Sequence, residues 1–482
     1  MLNRQREWYG ELAEVGCIDG AEPVLLPTNP TCRSALHVHD QSLAPWLQSV
    51  RECTATGCTK PPHMHPFPRC KVSLSFHVLT PKRVMPVSPV RNLAMTPRER
   101  VHAAFRHEEP DRTPIFEREI KPPSDCAILG RPAIHPYNWP DYLHTWAHEG
   151  WDSLVEKHAR DEFEIARLLG FDMIRLSANP PRTAPQPQEI DRHTFRHGDS
   201  VLRYHPESGV VENLTERKRT LEEWEREFRR QIERDYRPPI VTEDQLYVFR
   251  RVKELMAEKG LDLAIYVSLY AIPVAALPPF ALEWFVSEPG TLARYYEKQT
   301  RWIIDMGRIY VREGAEVCGL GGDFAGDMGP VVSPRAYREQ VVPHIRRQSD
   351  ALHRLGVWTT NTTDGDLWSV LHDFLDGAGV DGYGEIDVAA GMDLGRLKAE
   401  CGNRYTFLGN LDIRWVLCSG TVHDARAEMI RCIEQGWGNG GHIIMTSNVV
   451  HEDVKPELYL AAIDAYRDHF GLPARERAPG GM

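Results

Sequence analysis

The region from Val317 to Asp412 repeats one arrangement three times: a short apolar run, a cluster of polar residues, and then a helical segment. The apolar runs lead into Gly321-Gly322-Asp323, Asn361-Thr362-Thr363-Asp364 and Gly409-Asn410-Leu411-Asp412. An α/β barrel builds its active site in this way, because its parallel strands deliver polar loops at their carboxyl ends. The pattern therefore predicts an enzyme whose site lies among these loops.

The chain from Met95 onwards alternates strands and helices throughout. Thr96-Pro97-Arg98-Glu99 is a capping box with proline in the first turn, so we expect a helix to begin there. Further helices are predicted at 140–169, 242–260, 290–313, 334–355, 366–376 and 422–436. Strands are predicted near 113–117, 171–176, 262–269, 317–323, 356–361, 380–385, 405–410 and 441–446. Residues 192–213 alternate polar and apolar positions, which indicates a β meander. Together these patterns predict an α/β fold, a (β/α)8 TIM barrel over residues 95–482 with the meander inserted.

Residues 1–94 differ from the rest of the chain. They hold 5 of the 10 cysteines and 11 of the 36 prolines, without a sustained helical or strand period. Five of their side chains have the residue types of a zinc site, namely Cys53, Cys58, His63, His65 and Cys70. Their spacing matches none of the usual zinc pairings. We interpret residues 1–94 as an irregular, poorly ordered N-terminal extension, the alternative being a translated leader ahead of a start at Met95.

Composition argues against several classes of protein. The net charge is −11, and the absence of a basic stripe argues against nucleic acid or an anionic membrane surface as a partner. No apolar run approaches the ~18 residues of a membrane span, and no signal-peptide pattern is present. The cysteines are mostly scattered singly, which is typical of reduced thiols. We therefore expect a cytoplasmic protein that acts on a small molecule.

Several motifs resemble those of the uroporphyrinogen decarboxylase superfamily, above all its methyltransferase-like branch. They occur in the expected order at 95–114, 322–334, 382–386, 409–412 and 440–444. The resemblance covers about residues 95–471. It implies a barrel with its active site at the C-terminal mouth. It also implies one of two activities: decarboxylation of a tetrapyrrole, or methyl transfer among small molecules, corrinoids and thiols.

The resemblance is closer to the methyltransferases. Decarboxylases of the superfamily open with an arginine-rich segment that grips the many carboxylates of their substrate. The equivalent residues here, 115–122, alternate acidic and basic side chains, and Arg118 and Lys121 are the cations among them. We therefore expect methyl transfer from a small O-, N- or S-methylated compound. The chain lacks the Asp-x-His-x-x-Gly corrinoid motif, so a corrinoid cofactor would come from a partner protein. Tetrapyrrole decarboxylation and a non-catalytic ligand-binding barrel stay open.

The resemblance also bears on metal binding. Zinc methyltransferases of this branch hold the metal with His-x-Cys after one strand and with a later cysteine. Thr362 and Asn448 stand where relatives often have histidine, and the barrel cysteines fall outside those loops. We therefore predict no Cys-ligated zinc. The alternative is an oxygen-rich metal set made by Asp323, Asp364, Glu385 and His451.

The predicted catalytic residues are Asp323, Asp364 and Glu385, since converging carboxylates raise one another's pKa and supply a proton donor beside a base. Capping of a helix is the alternative for Asp364. The predicted substrate-binding residues are Arg118, Tyr266, Asn361, Thr362, Asn410, Asp412 and Asn448. For the asparagines the alternative is tight loop geometry, and for Tyr266 it is core packing.

A chain that begins at Met95 is expected to be soluble and to melt at the same temperature as the full chain. The reason is that residues 1–94 carry no periodic apolar face that could pack on a barrel. Thermal unfolding followed by circular dichroism measures the difference. A melting temperature lower by several degrees, or insolubility, would contradict the prediction.

Overall fold

The computed structural model describes residues 95–206, 209–270 and 272–481. The predicted irregular extension and its cysteine and histidine group lie outside these residues. None of the helices in the described ranges combines the length and the apolar character that crossing a membrane requires.

The strands form one large parallel sheet, an antiparallel meander and a short hairpin. In chain order they are β1 (Met173–Arg175), β2 (Gln188–Asp191), β3 (Thr194–His197), β4 (Ser200–His205), β5 (Val210–Asn213), β6 (Ala264–Ser268), β7 (Val317–Gly321), β8 (Ala325–Gly326), β9 (Gly329–Pro330), β10 (Trp358–Thr362), β11 (Gly382–Gly384), β12 (Thr406–Leu408) and β13 (His442–Ile443). The large sheet has seven strands in the order β1-β6-β7-β10-β11-β12-β13. Because all its pairs are parallel, their carboxyl ends lie at one mouth.

A short segment around Ile115 joins the two edges of this sheet. Ile115 bridges Ile444 beside β13, and its carbonyl oxygen accepts a hydrogen bond from the amide of Asp172 beside β1 at 2.8 Å. The predicted strand at 113–117 is therefore an isolated bridge rather than a ladder. Pro114 has no N–H to donate, which limits pairing here. With this closure the predicted TIM-barrel fold is confirmed.

Helices alternate with the barrel strands and cover them. They are α1 (Pro97–Phe105), α2 (Ser124–Leu129), α3 (Trp139–Leu169), α4 (Leu221–Glu233), α5 (Tyr247–Lys259), α6 (Pro279–Ser287), α7 (Pro289–Glu313), α8 (Pro334–Ala336), α9 (Val342–His353), α10 (Leu394–Cys401), α11 (Val422–Gly436) and α12 (Pro456–Phe470). Short π-helical segments lie at Tyr337–Val341, Asp373–Gly377 and Ile413–Leu417, and a 3₁₀ turn lies at Glu243–Leu246. The predicted capping box at the start of α1 is present, with Thr96 and Glu99 exchanging hydrogen bonds.

Helix α1 covers the N-terminal end of the barrel. Phe105 stacks on Trp358, the first residue of β10, with ring centroids 5.1 Å apart. Val101 and Ala104 are fully buried in the same cluster, together with Tyr266 from inside the barrel. Apolar packing therefore fills the lower barrel and leaves the carboxyl ends of the strands for polar groups.

The fully buried carboxylate of Asp172 holds the closing segment in place. It accepts hydrogen bonds from Arg112 at 2.7 and 2.8 Å, from Arg100 of α1 at 3.1 Å, and from the amide of Ile115 at 2.9 Å. Hydrogen bonds between charged groups are stronger than neutral ones. One side chain thus ties α1, the closing segment and the start of β1 together.

Replacing Asp172 by asparagine is expected to destabilise the fold by about 3–5 kcal/mol, because the buried guanidinium of Arg112 loses the carboxylate that pairs with it, while Arg100 keeps its pair with Asp111. Urea unfolding measures the change in the free energy of unfolding. A matched control is Glu297→Gln, which breaks the exposed pair with Arg347 and should cost at most about 1 kcal/mol. Equal, small losses in both variants would contradict the prediction.

Candidate active site

Acidic side chains outnumber arginines where the barrel strands end. The six acidic groups are Glu117, Glu119, Asp323, Asp364, Glu385 and Asp387, and the three arginines that face them are Arg118, Arg175 and Arg414. We call these nine residues the carboxyl cluster. Since low dielectric strengthens the repulsion between like charges, this excess favours the neutral form of some of its acids.

The centre of the cluster is the buried pair between Arg118 and Glu385. The guanidinium of Arg118 donates to the Glu385 carboxylate and lies over the ring of Tyr270, 5.1 Å from its centroid. The pKa of Glu385 is raised to about 8, chiefly because the group is buried. Arg118 opposes this shift, whereas Asp364 and Asp323 add to it.

The backbone of Glu385 adopts a left-handed conformation, with φ of 64°. This conformation is uncommon in residues other than glycine, asparagine and aspartate. Such strained positions occur where the surrounding structure holds a side chain in a required place, often at functional sites. The strained backbone and the buried hydrogen bond from Arg118 together fix the Glu385 carboxyl group at the mouth.

Asp364 is the second acid whose pKa lies near neutrality. Its pKa is raised to about 7 by burial first, and then by the charges of Asp323 and Asp387. Asn448 donates to its Oδ2 at 3.1 Å, and its buried Oδ1 has no hydrogen-bond partner among the described residues. Asp364 caps none of the helices described, so the capping alternative does not apply to it.

The loop that carries Asp364 lies tightly against the hairpin that follows β7. Gly365 has φ of 89°, and a Cβ there would lie 2.8 Å from backbone atoms of Gly326. Its amide also donates to the Asp387 carboxylate at 3.3 Å. Glycine is therefore required for this approach, which brings the loops after three strands together.

The closing segment supplies the other side of the cluster. Glu117 is buried and accepts from the hydroxyl and amide of Thr446, at 2.8 and 3.1 Å. Burial nevertheless raises its pKa to about 8. Glu119 pairs with Arg175 at 3.3 Å, and Arg175 also donates to Ser268 at 3.1 Å. These contacts fix acidic groups on the side of the mouth that adjoins β1.

Two small cavities adjoin the arginines of the cluster. Their volumes are about 30 and 10 Å³, and Arg118, Tyr137, Glu162 and Arg175 line both. A cavity of this size holds about one or two water molecules. Asp364 lines neither of these two cavities.

The structure brings together five of the predicted site residues. Asp323, Asp364, Glu385 and Arg118 belong to the carboxyl cluster, and Asn448 donates to it. Thr362 lies close to the cluster, beside Gly384, which directly precedes Glu385. A Cβ placed on Gly384 would be 3.2 Å from the Oγ1 atom of Thr362. This hydroxyl oxygen is buried and has no hydrogen-bond partner within the described residues.

Four other predicted residues make their hydrogen bonds or ring contacts with residues outside the cluster. Asn361 donates to the carbonyl of Phe374 in the outer helical layer at 3.0 Å. Asn410 accepts from Arg431 at 3.1 Å on the same outer side. Their contacts are structural.

Asp412 and Tyr266 also have structural contacts. Asp412 accepts from the amide of Trp415 at 3.0 Å and so caps the segment Ile413–Leu417. Tyr266 is buried against Phe116, with ring centroids 5.2 Å apart. Its position matches the core-packing alternative.

Five members of the cluster were not predicted from the sequence, namely Glu117, Glu119, Arg175, Asp387 and Arg414. The signal for the first two was the Glu-Arg-Glu run in a short segment that follows Pro114. Charges that alternate in this way are typical of exposed strands, but barrel closure buries them here. The sequence signal for Asp387 was its position two residues after Glu385, in the same loop.

The donor atoms of the cluster do not suit thiolate-bound zinc, which takes cysteine and histidine. Cys318 faces the outer apolar layer, and the thiol of Cys432 contacts Asn410. The alternative metal set is not assembled either: within the described residues, His451 does not lie with Asp323 and Glu385 at metal-binding distance. Its Nε2 lies 3.9 Å from the thiol of Cys418 instead.

Comparison with known proteins agrees with this architecture. Residues 277–469, which include β7 to β13, match the model of the family described as uroporphyrinogen decarboxylase (URO-D). Over these residues the chain is similar to the uroporphyrinogen decarboxylase family. A uroporphyrinogen decarboxylase from Syntrophotalea carbinolica is 28% identical over 180 residues, which are 35% of this chain and 46% of that protein. The match thus spans about half the length of this relative.

A solved structure supports the fold over a longer stretch. A methyltransferase from Methanosarcina mazei superposes with a TM-score of 0.52 at 18% sequence identity. The superposition covers 78% of this chain and 99% of that one. At this identity the likeness is one of fold. This likeness of fold extends beyond the residues matched by the family model.

The raised pKa of Glu385 predicts a pH-dependent stability. In the folded chain Glu385 keeps its proton up to about pH 8, whereas in the unfolded chain it releases the proton above pH 4.5. The stability that this proton contributes is therefore complete below pH 4.5 and is lost as the pH rises to about 8. Relative to Glu385→Gln, the free energy of unfolding of the native sequence should fall by up to about 1.4 kcal/mol per pH unit in this window. Urea unfolding at several pH values measures the slope.

Asp327→Asn is the matched control for this experiment. Asp327 lies exposed at the same mouth, and its hydrogen bonds with Arg414 lower its pKa, so it stays ionised throughout the window. The free energy of unfolding of Asp327→Asn should therefore change with pH in the same way as that of the native sequence. A Glu385→Gln curve that also ran parallel would contradict the raised pKa.

Proposed function

We propose that this chain transfers a methyl group from a small O-, N- or S-methylated compound, with a corrinoid on a partner protein as the acceptor. The observation that supports it is the carboxyl cluster, in which Asp364 and Glu385 have pKa values of about 7 and 8. Such acids hold protons at neutral pH and can donate them.

Protonation is the step that these acids would catalyse. When the methyl group leaves, the bond between its carbon and the heteroatom breaks, and the heteroatom keeps the electron pair. A proton from Asp364 or Glu385 neutralises that atom and makes it a better leaving group. A general acid is most effective when its pKa lies near the working pH, which both groups satisfy. Thr362 and Asn448 lie close enough to orient the donor molecule.

The charge of the cluster also favours a methylated donor over a polycarboxylate. Arg118 and Arg175 already pair with Glu385 and Glu119, and further carboxyl groups surround them. With Glu117, Asp364 and Glu385 protonated, three acids remain for the three arginines, so the cluster offers no excess positive charge to bind a substrate that carries many carboxylates. This is the physical basis for placing methyl transfer ahead of tetrapyrrole decarboxylation.

Decarboxylation is the second candidate, and the likeness to a uroporphyrinogen decarboxylase favours it. In that reaction an acidic group at the mouth would stabilise a protonated pyrrole.

For methyl transfer, corrinoid binding is assigned to a partner protein because the chain has no corrinoid motif. The residues at this mouth bind and protonate the methyl donor.

The deciding experiment is a panel of methylated ethers, amines and thioethers incubated with the full chain and reduced corrinoid. Methylation of the corrinoid is followed by its absorbance, and a porphyrinogen is tested in parallel for release of carbon dioxide. Methylcorrinoid formation with one donor class is the expected result. Carbon dioxide release from the porphyrinogen alone would support the second candidate. Binding of a donor without turnover would favour a non-catalytic barrel.

With the active donor, Glu385→Gln and Asp364→Asn are expected to lower kcat by ~10²–10⁴-fold, the usual cost of a lost general acid. Asp323→Asn tests the third acid in the same way. The control is Asp327→Asn, which removes an exposed carboxylate at the same mouth and should keep near-normal turnover. Near-normal kcat in both Glu385→Gln and Asp364→Asn would remove these groups from the reaction.

A further inference from the structure

Two histidines one turn apart on α3 face a glutamate of the inserted meander. Nδ1 of His144 lies 2.6 Å, and Nε2 of His148 lies 2.7 Å, from the same Oε2 atom of Glu189. The two imidazole rings are 4.4 Å apart, and all three ligand atoms lie within 4.8 Å of one another. Within the described part of the chain, this is the group of histidine, cysteine and acidic side chains that meets the geometry of a metal site.

We propose that His144, His148 and Glu189 form a zinc-binding site. Two imidazoles and one carboxylate are a known zinc ligand set, which leaves a fourth position for water. The i, i+4 spacing places both rings on one face of the helix. With tetrahedral zinc–ligand distances of about 2.0–2.2 Å, each imidazole nitrogen must move roughly 0.6 to 1 Å away from the Glu189 oxygen that it now contacts. The histidines can make this adjustment because both are about half exposed.

The three side chains are of the kinds that zinc binds, because a carboxylate and two imidazoles can each present an unprotonated atom to the metal. Each neutral ring can carry its proton on the nitrogen that faces away from Glu189, which leaves the facing nitrogen free to bind the metal.

Contacts on both sides of Glu189 hold the geometry without a metal. Glu189 pairs with Phe195 in the meander, and Phe195 is buried against Trp139 of α3 with ring centroids 5.4 Å apart. Gln186 donates to two carbonyl groups of α3 that lie between the histidines, at 3.1 and 2.9 Å. Strand β2 is therefore fixed to the helix, and zinc would bind a nearly formed site. It would act as a cross-link between α3 and the meander.

This site is separate from the carboxyl cluster, since they share no residue, and the proposal does not depend on the proposed function. The experiment is calorimetric titration of the tag-free full chain with zinc chloride. Variants His148→Gln and Glu189→Gln each remove one ligand. The matched control is His102→Gln, because His102 pairs with Glu316 at 2.6 Å but is part of none of the three-ligand groups found among the described residues. Cysteines and histidines elsewhere in the chain contribute equally to all four proteins.

The native sequence and His102→Gln are expected to bind one more zinc ion than the two site variants, or to bind it at least about tenfold more tightly. Far-UV circular dichroism shows whether each variant is folded. Identical zinc stoichiometry and affinity in all four proteins would overturn the proposal. A zinc-soaked crystal without an anomalous peak between the three ligand atoms would overturn it as well, independently of how any variant folds.

Discussion

The rest of the structure depends on the buried carboxylate of Asp172. Seven strands form regular parallel ladders, but the segment around Ile115 closes the barrel through an isolated bridge. Asp172 compensates for the missing ladder with hydrogen bonds to Arg112, Arg100 and the Ile115 amide. These charge-assisted bonds position the residues that follow Ile115 at the barrel mouth.

The position of that segment determines the chemistry of the mouth. It brings Arg118 to Glu385, and it adds the acids Glu117 and Glu119 to those on the loops after β7, β10 and β11. Carboxyl groups that are buried and outnumber their cations share protons instead of all ionising. The proposed proton donor and the proposed preference for a donor without many carboxylates both rest on this one electrostatic arrangement.

Much of the fold followed from the sequence, because strand and helix periods are local properties. The polar residues at strand ends likewise indicated Asp323, Asp364 and Glu385. The sequence could not show which side of the barrel wall adjacent residues face: Asn361 bonds to the outer helices, while Thr362 lies beside Gly384. Which residues of a strand point into the barrel and which point outwards is fixed only when the barrel closes. The burial of Glu117 likewise depends on closure, which is a long-range contact.

Protonation of the carboxyl cluster is directly observable by neutron diffraction from deuterated crystals. The pKa of Asp364 is raised to about 7 and that of Glu385 to about 8. In crystals kept below about pH 7, a carboxyl oxygen of Asp364 or Glu385 should therefore carry deuterium. Exposed acids such as Asp327 should be bare in the same map. Bare carboxylates at both Asp364 and Glu385 would contradict the assignment of these groups as proton donors.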